Sequence, residues 1–371
     1  MDKSGFSKAM ILRSVFITRL REIGIFNTEL LASHLKIYFT GPYAPYTLSM
    51  REKFKRLIAL TYQLDVYFAL SYGKPPMLHR QEVGADLPTS FALWNAYGLD
   101  IFAKRQLQEP LGRSGFPISE MTNGPSSFKA SQLLVEDLLL GLSGVLQVIW
   151  VHMQPLPSRE RGYLRDPTQR VLLTETLDAW KYDLDKINKL TDRRNISSNP
   201  ARYLLAAYRG EDNSVAASLE RITTLTQDGI ILYYYLKLYH CTGLDASELA
   251  RLAKHTGDTD AQTWRTSKHA REALICGLQM LKMVNSMRVS GIAINPLTRH
   301  ALAMGLNVTK LLLPSQGCEC SRKDGQQATA DIQQWTDIDG SICIDNMPVC
   351  LCKFELWIQS FEKAIQVQTL T

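Results

Sequence analysis

Cysteine is missing from the first 240 residues, and all seven cysteines, an odd number, fall at positions 241, 276, 318, 320, 343, 350 and 352. A secreted disulfide framework spaces its half-cystines through the whole chain in even number, so this distribution indicates a reducing compartment. The Asn195-Ile196-Ser197 and Asn307-Val308-Thr309 sequons are then chance matches. No apolar stretch near the N-terminus has the form of a signal-peptide core, because Arg13, Arg19 and Arg21 interrupt it. The longest apolar run, from Leu133 to Val151, carries Glu136, Asp137 and Gln147, which a bilayer would penalise; it reads as a buried core helix, and no membrane contact is expected.

Other absences narrow the class further. Glycine (22) and proline (15) are too few among 371 residues for a collagen-like or low-complexity chain. The excess of 42 Lys and Arg over 36 Asp and Glu, a net +6, is spread thinly, whereas a nucleic-acid face is denser. Period-two alternation is scarce, and no repeat of 20–50 residues is visible. There is no Gly-x-Ser-x-Gly elbow, no His-Glu-x-x-His, no phosphate-cradling loop and no dinucleotide fingerprint. Gly141-Leu142-Ser143-Gly144 falls one residue short of the elbow inside a helix, where small residues allow close packing. Asp183-Leu184-Asp185-Lys186 lacks the third carboxylate of an Asp-rich metal motif. No enzyme is expected.

What remains is helical periodicity, and the predicted fold class is all-α, a multi-helix domain. Helices are expected at about 7–24, 27–38, 49–72, 88–108, 125–153, 167–190, 198–210, 213–242, 257–287, 296–313 and 345–367. Residues 39–48, 109–124 and 154–166 are too rich in Pro and Gly for helix. The segment 314–346 reads as a loop or partly disordered linker. The expected organisation is a helical body over 1–313, this linker, and a C-terminal helix within 347–371 that docks back through Phe354, Trp357, Ile358, Phe361 and Ile365.

In the helix 49–72, Phe54, Leu57, Ile58, Thr61, Phe68 and Tyr72 share one face, and Asp65 lies within about 20° of Phe54 at 100° per residue. A carboxylate in that stripe needs a partner. With no second carboxylate or His at a helical neighbour, the expectation is a structural Asp paired with an Arg or capping backbone N–H groups, rather than a catalytic acid. Gly73-Lys74-Pro75-Pro76 stops the helix.

This region also resembles a known family. Arg56-Leu57, Tyr62, Leu64-Asp65, Gly73, Pro75-Pro76, Asp86-Leu87-Pro88 and Leu93-Trp94 are similar, in order and spacing, to the fungal-specific transcription factor domain, the middle homology region of fungal zinc-cluster regulators. Ala59 and Leu60 stand where that family usually has Trp, and the match covers about residues 50–95. The pairing of Asp86-Leu87-Pro88 with Leu93-Trp94 is similar to the subgroup that carries a Cys-Cys-His-His finger pair. The resemblance implies a nuclear regulator of transcription by RNA polymerase II whose helical domain does no chemistry and holds regulatory, dimer-related or effector-responsive surfaces. Its structural residues would be Arg56, Tyr62, Asp65, Gly73, Pro75, Pro76, Asp86, Pro88 and Trp94. The implied partners are the transcription machinery or a related regulator, met by helix–helix contact in a homo- or heterodimer. The family's zinc belongs to an N-terminal DNA-reading module; no cysteine precedes Cys241 and no Cys-x2-Cys occurs, so zinc and direct DNA binding are not expected of this chain.

Three further groups have an ordinary and a functional reading. Cys318, Cys320, Cys343, Cys350 and Cys352 could supply four thiolates, but their Cys-x-Cys spacing is unlike structural zinc sites, and free thiols are expected. Tyr233, Tyr234 and Tyr235 are expected as core; their functional alternative is the lining of a small-molecule pocket in a binding protein or enzyme. Lys53, Lys55, Arg56, Arg193 and Arg194 are expected on solvated faces.

Overall fold

The computed structural model describes residues 3–27, 29–30, 33, 44–110, 112–113, 115–121, 133–153, 167–192, 194–243, 249, 264–291, 295–313, 332, 336–337, 343–344 and 347–367. Among them are twelve α-helices and one pair of two-residue strands, an all-α fold as the periodicity predicts. The chain divides into two compact units, residues 1–151 with 171–229, and residues 152–170 with 230–371.

The first unit contains α1 (Lys3–Glu22), α2 (Ala44–Tyr72), α3 (Phe91–Trp94), α4 (Leu99–Gln106), α5 (Ile118–Met121), most of α6 (Val135–Met153) and α7 (Pro167–Leu190), α8 (Asn199–Ala207) and the first half of α9 (Val215–Thr242). The buried face of α2 runs through Ile58, Ala59, Tyr62, Asp65, Val66, Ala69 and Leu70, whereas Phe54, Leu57, Phe68 and Tyr72 are only half-buried. The small Ala59 and Ala69 turn inward because they permit close packing, and the real stripe is rotated from the expected one with Asp65 still at its centre. At the C-terminus of α2, Gly73 adopts φ 59° and the Lys74 N–H reaches the Ala69 carbonyl at 3.1 Å, the left-handed cap read from the sequence.

Gly141 of α6 faces Trp180 of α7: a Cβ on it would stand 2.3 Å from Cζ2 of the indole. Gly141 therefore serves close packing. The acidic first turn of α6, Glu136 and Asp137, suits the positive end of a helix, and the Asp137 carboxylate accepts the Leu134 N–H at 2.8 Å.

The second unit holds the rest of α9, α10 (Lys268–Val289), α11 (Leu297–Leu312), β1 (Cys343–Ile344), β2 (Met347–Pro348) and α12 (Phe354–Val367). Ser267 caps α10 by accepting the Ala270 N–H at 3.2 Å. Gly277 and Gly305 meet where α10 crosses α11, a Cβ on Gly277 falling 3.1 Å from the Gly305 Cα, and the fully buried Phe361 of α12 packs over the same crossing. Trp357 donates from Nε1 to the Pro348 carbonyl at 3.0 Å, joining α12 to the hairpin. The last helix docks as expected.

Several boundaries differ from expectation. The span 88–108 is broken into α3 and α4, because Gly98 sits at φ 91° and the Pro88 and Thr89 carbonyls are taken by Arg113 and Arg56. Helix α2 begins at Ala44 inside the expected loop 39–48, since Pro45 is tolerated in a first turn. The short α5 interrupts 109–124. The helix expected from 345 starts at Phe354, after an antiparallel pair that joins Cys343 to Pro348 and Ile344 to Met347. Most of 27–38 and of 314–342, and the starts expected near 125 and 257, lie outside the described residues.

Candidate functional site

The residues quoted for the family resemblance converge in the first unit. Asp65 is fully enclosed; Arg13 Nε donates to its Oδ1 at 2.8 Å, and the N–H groups of Met77 and Leu78 donate to Oδ2 at 2.8 and 2.9 Å. It is a structural carboxylate held by both an Arg and backbone amides. Pro75 accepts from Arg13 Nη2 at 3.1 Å, so the Gly73–Pro76 stop is tied to α1 as well as to α2. Tyr62 is buried, and burial pushes its phenol up.

Arg56 is not on a solvated face. Its guanidinium lies 5.0 Å from the centre of the Trp94 ring, Nη2 donates to the Thr89 carbonyl at 2.7 Å, and Nε stands 3.1 Å from Glu52. Burial pulls its pKa down, against the pull of Glu52. Lys55 pairs with Asp86 at 3.3 Å, while Lys53 and Arg194 are exposed as expected; Arg193 lies outside the described residues. Pro88 accepts from Arg113 Nε at 3.1 Å, and Arg113 also forms a buried ion pair with Asp137. Burial opposes the charge of Arg113, but Asp137 and Glu109 outweigh it and hold the guanidinium charged.

Arg56 and Arg113 lie in a cleft of about 240 Å³ lined also by Gln63, Pro88, Thr89 and Glu136, with apolar walls from Ala59, Leu60, Leu134 and Leu140. That is below the roughly 300–1,000 Å³ of sites for drug-sized ligands, so it suits a small occupant. Burial raises the pKa of Glu136, only partly opposed by the hydrogen bond that Tyr208 Oη donates to its Oε2. Both guanidinium groups are already matched by carboxylates, Arg56 by Glu52 and Arg113 by Asp137 and Glu109, so the cleft offers polar groups rather than an excess of positive charge.

Comparison with family models, with characterised proteins and with solved structures gives no match. The family resemblance rests on the residues around Asp65. Of the sequence-selected residues, Arg56 and Pro88 line the cleft and Trp94 lies under the Arg56 guanidinium, whereas Tyr62, Asp65, Gly73, Pro75, Pro76 and Asp86 do not line it. Arg113, Glu136 and Tyr208 were not singled out. Arg113 lies in a Pro- and Gly-rich segment without periodicity; Glu136, an acid at the head of an apolar run, carried the one available signal.

Tyr233 and Tyr235 are buried and Tyr234 is half-buried in the second unit, with the first two rings of the run edge to face at 5.2 Å; none of the three lines the cleft. Cys343, Cys350 and Cys352 form no disulfide, the sulfurs of Cys350 and Cys352 standing 3.2 Å apart, and Cys318 and Cys320 lie outside the described residues. A different group was missed. Cys241, His269 and Glu272 place one donor atom each within 4.8 Å of one another.

Proposed function

We propose that the chain is the helical regulatory domain of a nuclear transcription regulator of the fungal-specific type, acting through protein contact rather than through chemistry of its own. The observation that carries this reading is the employment of the motif's polar residues. Asp65, Arg56 and Asp86 are each taken up in fastening α2 to its neighbours or to the segment 75–90, as befits a scaffold signature. An exposed apolar stripe on α1, formed by Ile11, Leu12, Val15 and Phe16, supports the protein-contact part. DNA reading would fall to a separate zinc module or to a dimer partner.

The test is to fuse the chain to a heterologous DNA-binding domain in a fungal reporter strain and to follow a fluorescent fusion in the cell. A several-fold change in reporter output together with nuclear accumulation is expected. Unchanged output from a well-expressed fusion would overturn the reading.

The cleft favours a second reading, a small-molecule-binding protein. Some members of a library of small polar metabolites would then raise the melting temperature of the parent but not of Arg56→Met, and a library that shifts neither would remove this reading.

A further inference from the structure

Cys241 sits in the last turn of α9, and His269 and Glu272 lie in the first turns of α10. Cys241 Sγ is 3.5 Å from Glu272 Oε2, and His269 Nδ1 is 3.1 Å from the same oxygen. Zinc binds S, N and O at about 2.3, 2.0–2.1 and 2.0–2.2 Å, which puts tetrahedral S···O and N···O edges at about 3.6 and 3.4 Å. The two pairs that share Glu272 already stand at nearly those separations, and all three donors lie within 4.8 Å of one another. A thiolate, an imidazole and a carboxylate also match a borderline transition metal, not the all-oxygen shell of calcium or magnesium.

The helices hold this arrangement locally. His269, Glu272 and Cys276 follow one another at i, i+3 and i+7 along one face of α10. Trp264 donates from Nε1 to the Cys241 carbonyl at 3.3 Å and fixes the end of α9. Cys241 is buried, whereas His269 and Glu272 keep about a third and a quarter of their side chains exposed, at 30% and 23%, which leaves a way in from solvent. Burial holds the Cys241 thiol well above its ordinary value, and Lys237, one turn before it, and Arg170 pull the other way. Cys276 is also close enough to act on Cys241.

We propose that Cys241, His269 and Glu272 form a zinc-type site that fastens the end of α9 to the start of α10, with the fourth position taken by water or Cys276. Binding replaces the thiol proton, which goes to solvent, by the metal, and the imidazole enters neutral with its proton on Nε2. The site belongs to the second unit and is independent of the reading of the first.

The full chain, stripped by chelator, is titrated with Co²⁺. The expected result is one equivalent bound, with a thiolate-to-cobalt charge-transfer band and tetrahedral d–d bands, displaced by one equivalent of Zn²⁺. Glu272→Gln and His269→Ala, which leave the buried thiol in place, should weaken Co²⁺ binding at least about tenfold, given that losing even an outer-shell partner costs roughly 10–100-fold. Cys241→Ser should abolish the band, and the Cys350→Ser/Cys352→Ser double variant should keep it. The absence of a charge-transfer band in the parent would overturn the proposal. So would a band that survives Cys241→Ser, or Glu272→Gln and His269→Ala variants that bind like the parent.

Discussion

Arg13 and Asp65, 52 residues apart, form a buried ion pair in which Nε and Nη2 stand 2.8 and 2.7 Å from the same carboxylate oxygen. The other oxygen is filled by the N–H groups of Met77 and Leu78. Removing one member of such a pair leaves a buried charge uncompensated, so Asp65→Ala should lower stability by about 3–5 kcal/mol in urea unfolding. The double change Arg13→Met/Asp65→Leu should not recover the parent value, because the half-buried Met77 and buried Leu78 amides lose their acceptor. An unchanged unfolding midpoint for Asp65→Ala would contradict this account.

Gly141→Ala tests the contact with Trp180. Alanine favours an exposed helix over glycine by about 1 kcal/mol, but here the added methyl meets the fully buried indole. Overpacking should dominate and destabilise by about 1–3 kcal/mol. Trp180→Phe makes room, so the combined variant should lose less than the sum of the two single losses; simple additivity would show that the helices separate freely.

Glu136 sets a pH dependence. Burial holds its carboxyl above the ordinary value near 4.5, so between that value and its folded one the folded chain binds the extra proton. Stability is therefore full below that window and falls as pH rises through it. Glu136→Gln keeps an acceptor for Tyr208 and removes the titration, so melting temperatures taken from pH 4 to 7 should move in favour of the variant. Parallel curves would count against a raised Glu136.

Arg56→Lys should not behave as a conservative change. Lysine keeps the charge but loses the planar fork that reaches the Thr89 carbonyl and Glu52 while lying over Trp94. A loss of about 1–2 kcal/mol is expected, with a coupling of about 0.5–2 kcal/mol to Trp94→Phe in a double-mutant cycle. A lysine variant as stable as the parent would mean that the stacked geometry contributes little.

Asp65 was legible because a charge on an apolar helical face forces the question of its partner. Gly73 was legible because a left-handed cap has few substitutes. The break at Gly98 was not, since periodicity continues across it and the competing contacts come from Arg56 and Arg113, one of them in a segment without pattern. Two-residue strands at Cys343 and Met347 are too short to alternate. The Cys241 group was hidden differently. Its donors lie 28 and 31 residues apart on two helices, where Cys241 resembles core and His269 and Glu272 resemble an ordinary i, i+3 surface pair.

The crossing of α10 and α11 carries a lesson about sequence tolerance. Glycine has no smaller neighbour in the amino-acid alphabet, so every replacement at 277 or 305 adds atoms where backbone already meets backbone. In a saturation library, these two positions should admit almost nothing, while Asn285 and Ser286, exposed on the same helix as Gly277, should accept most of the alphabet. A glycine that looks like a weak point for its own helix is thus a position where its neighbours leave no room for any other letter.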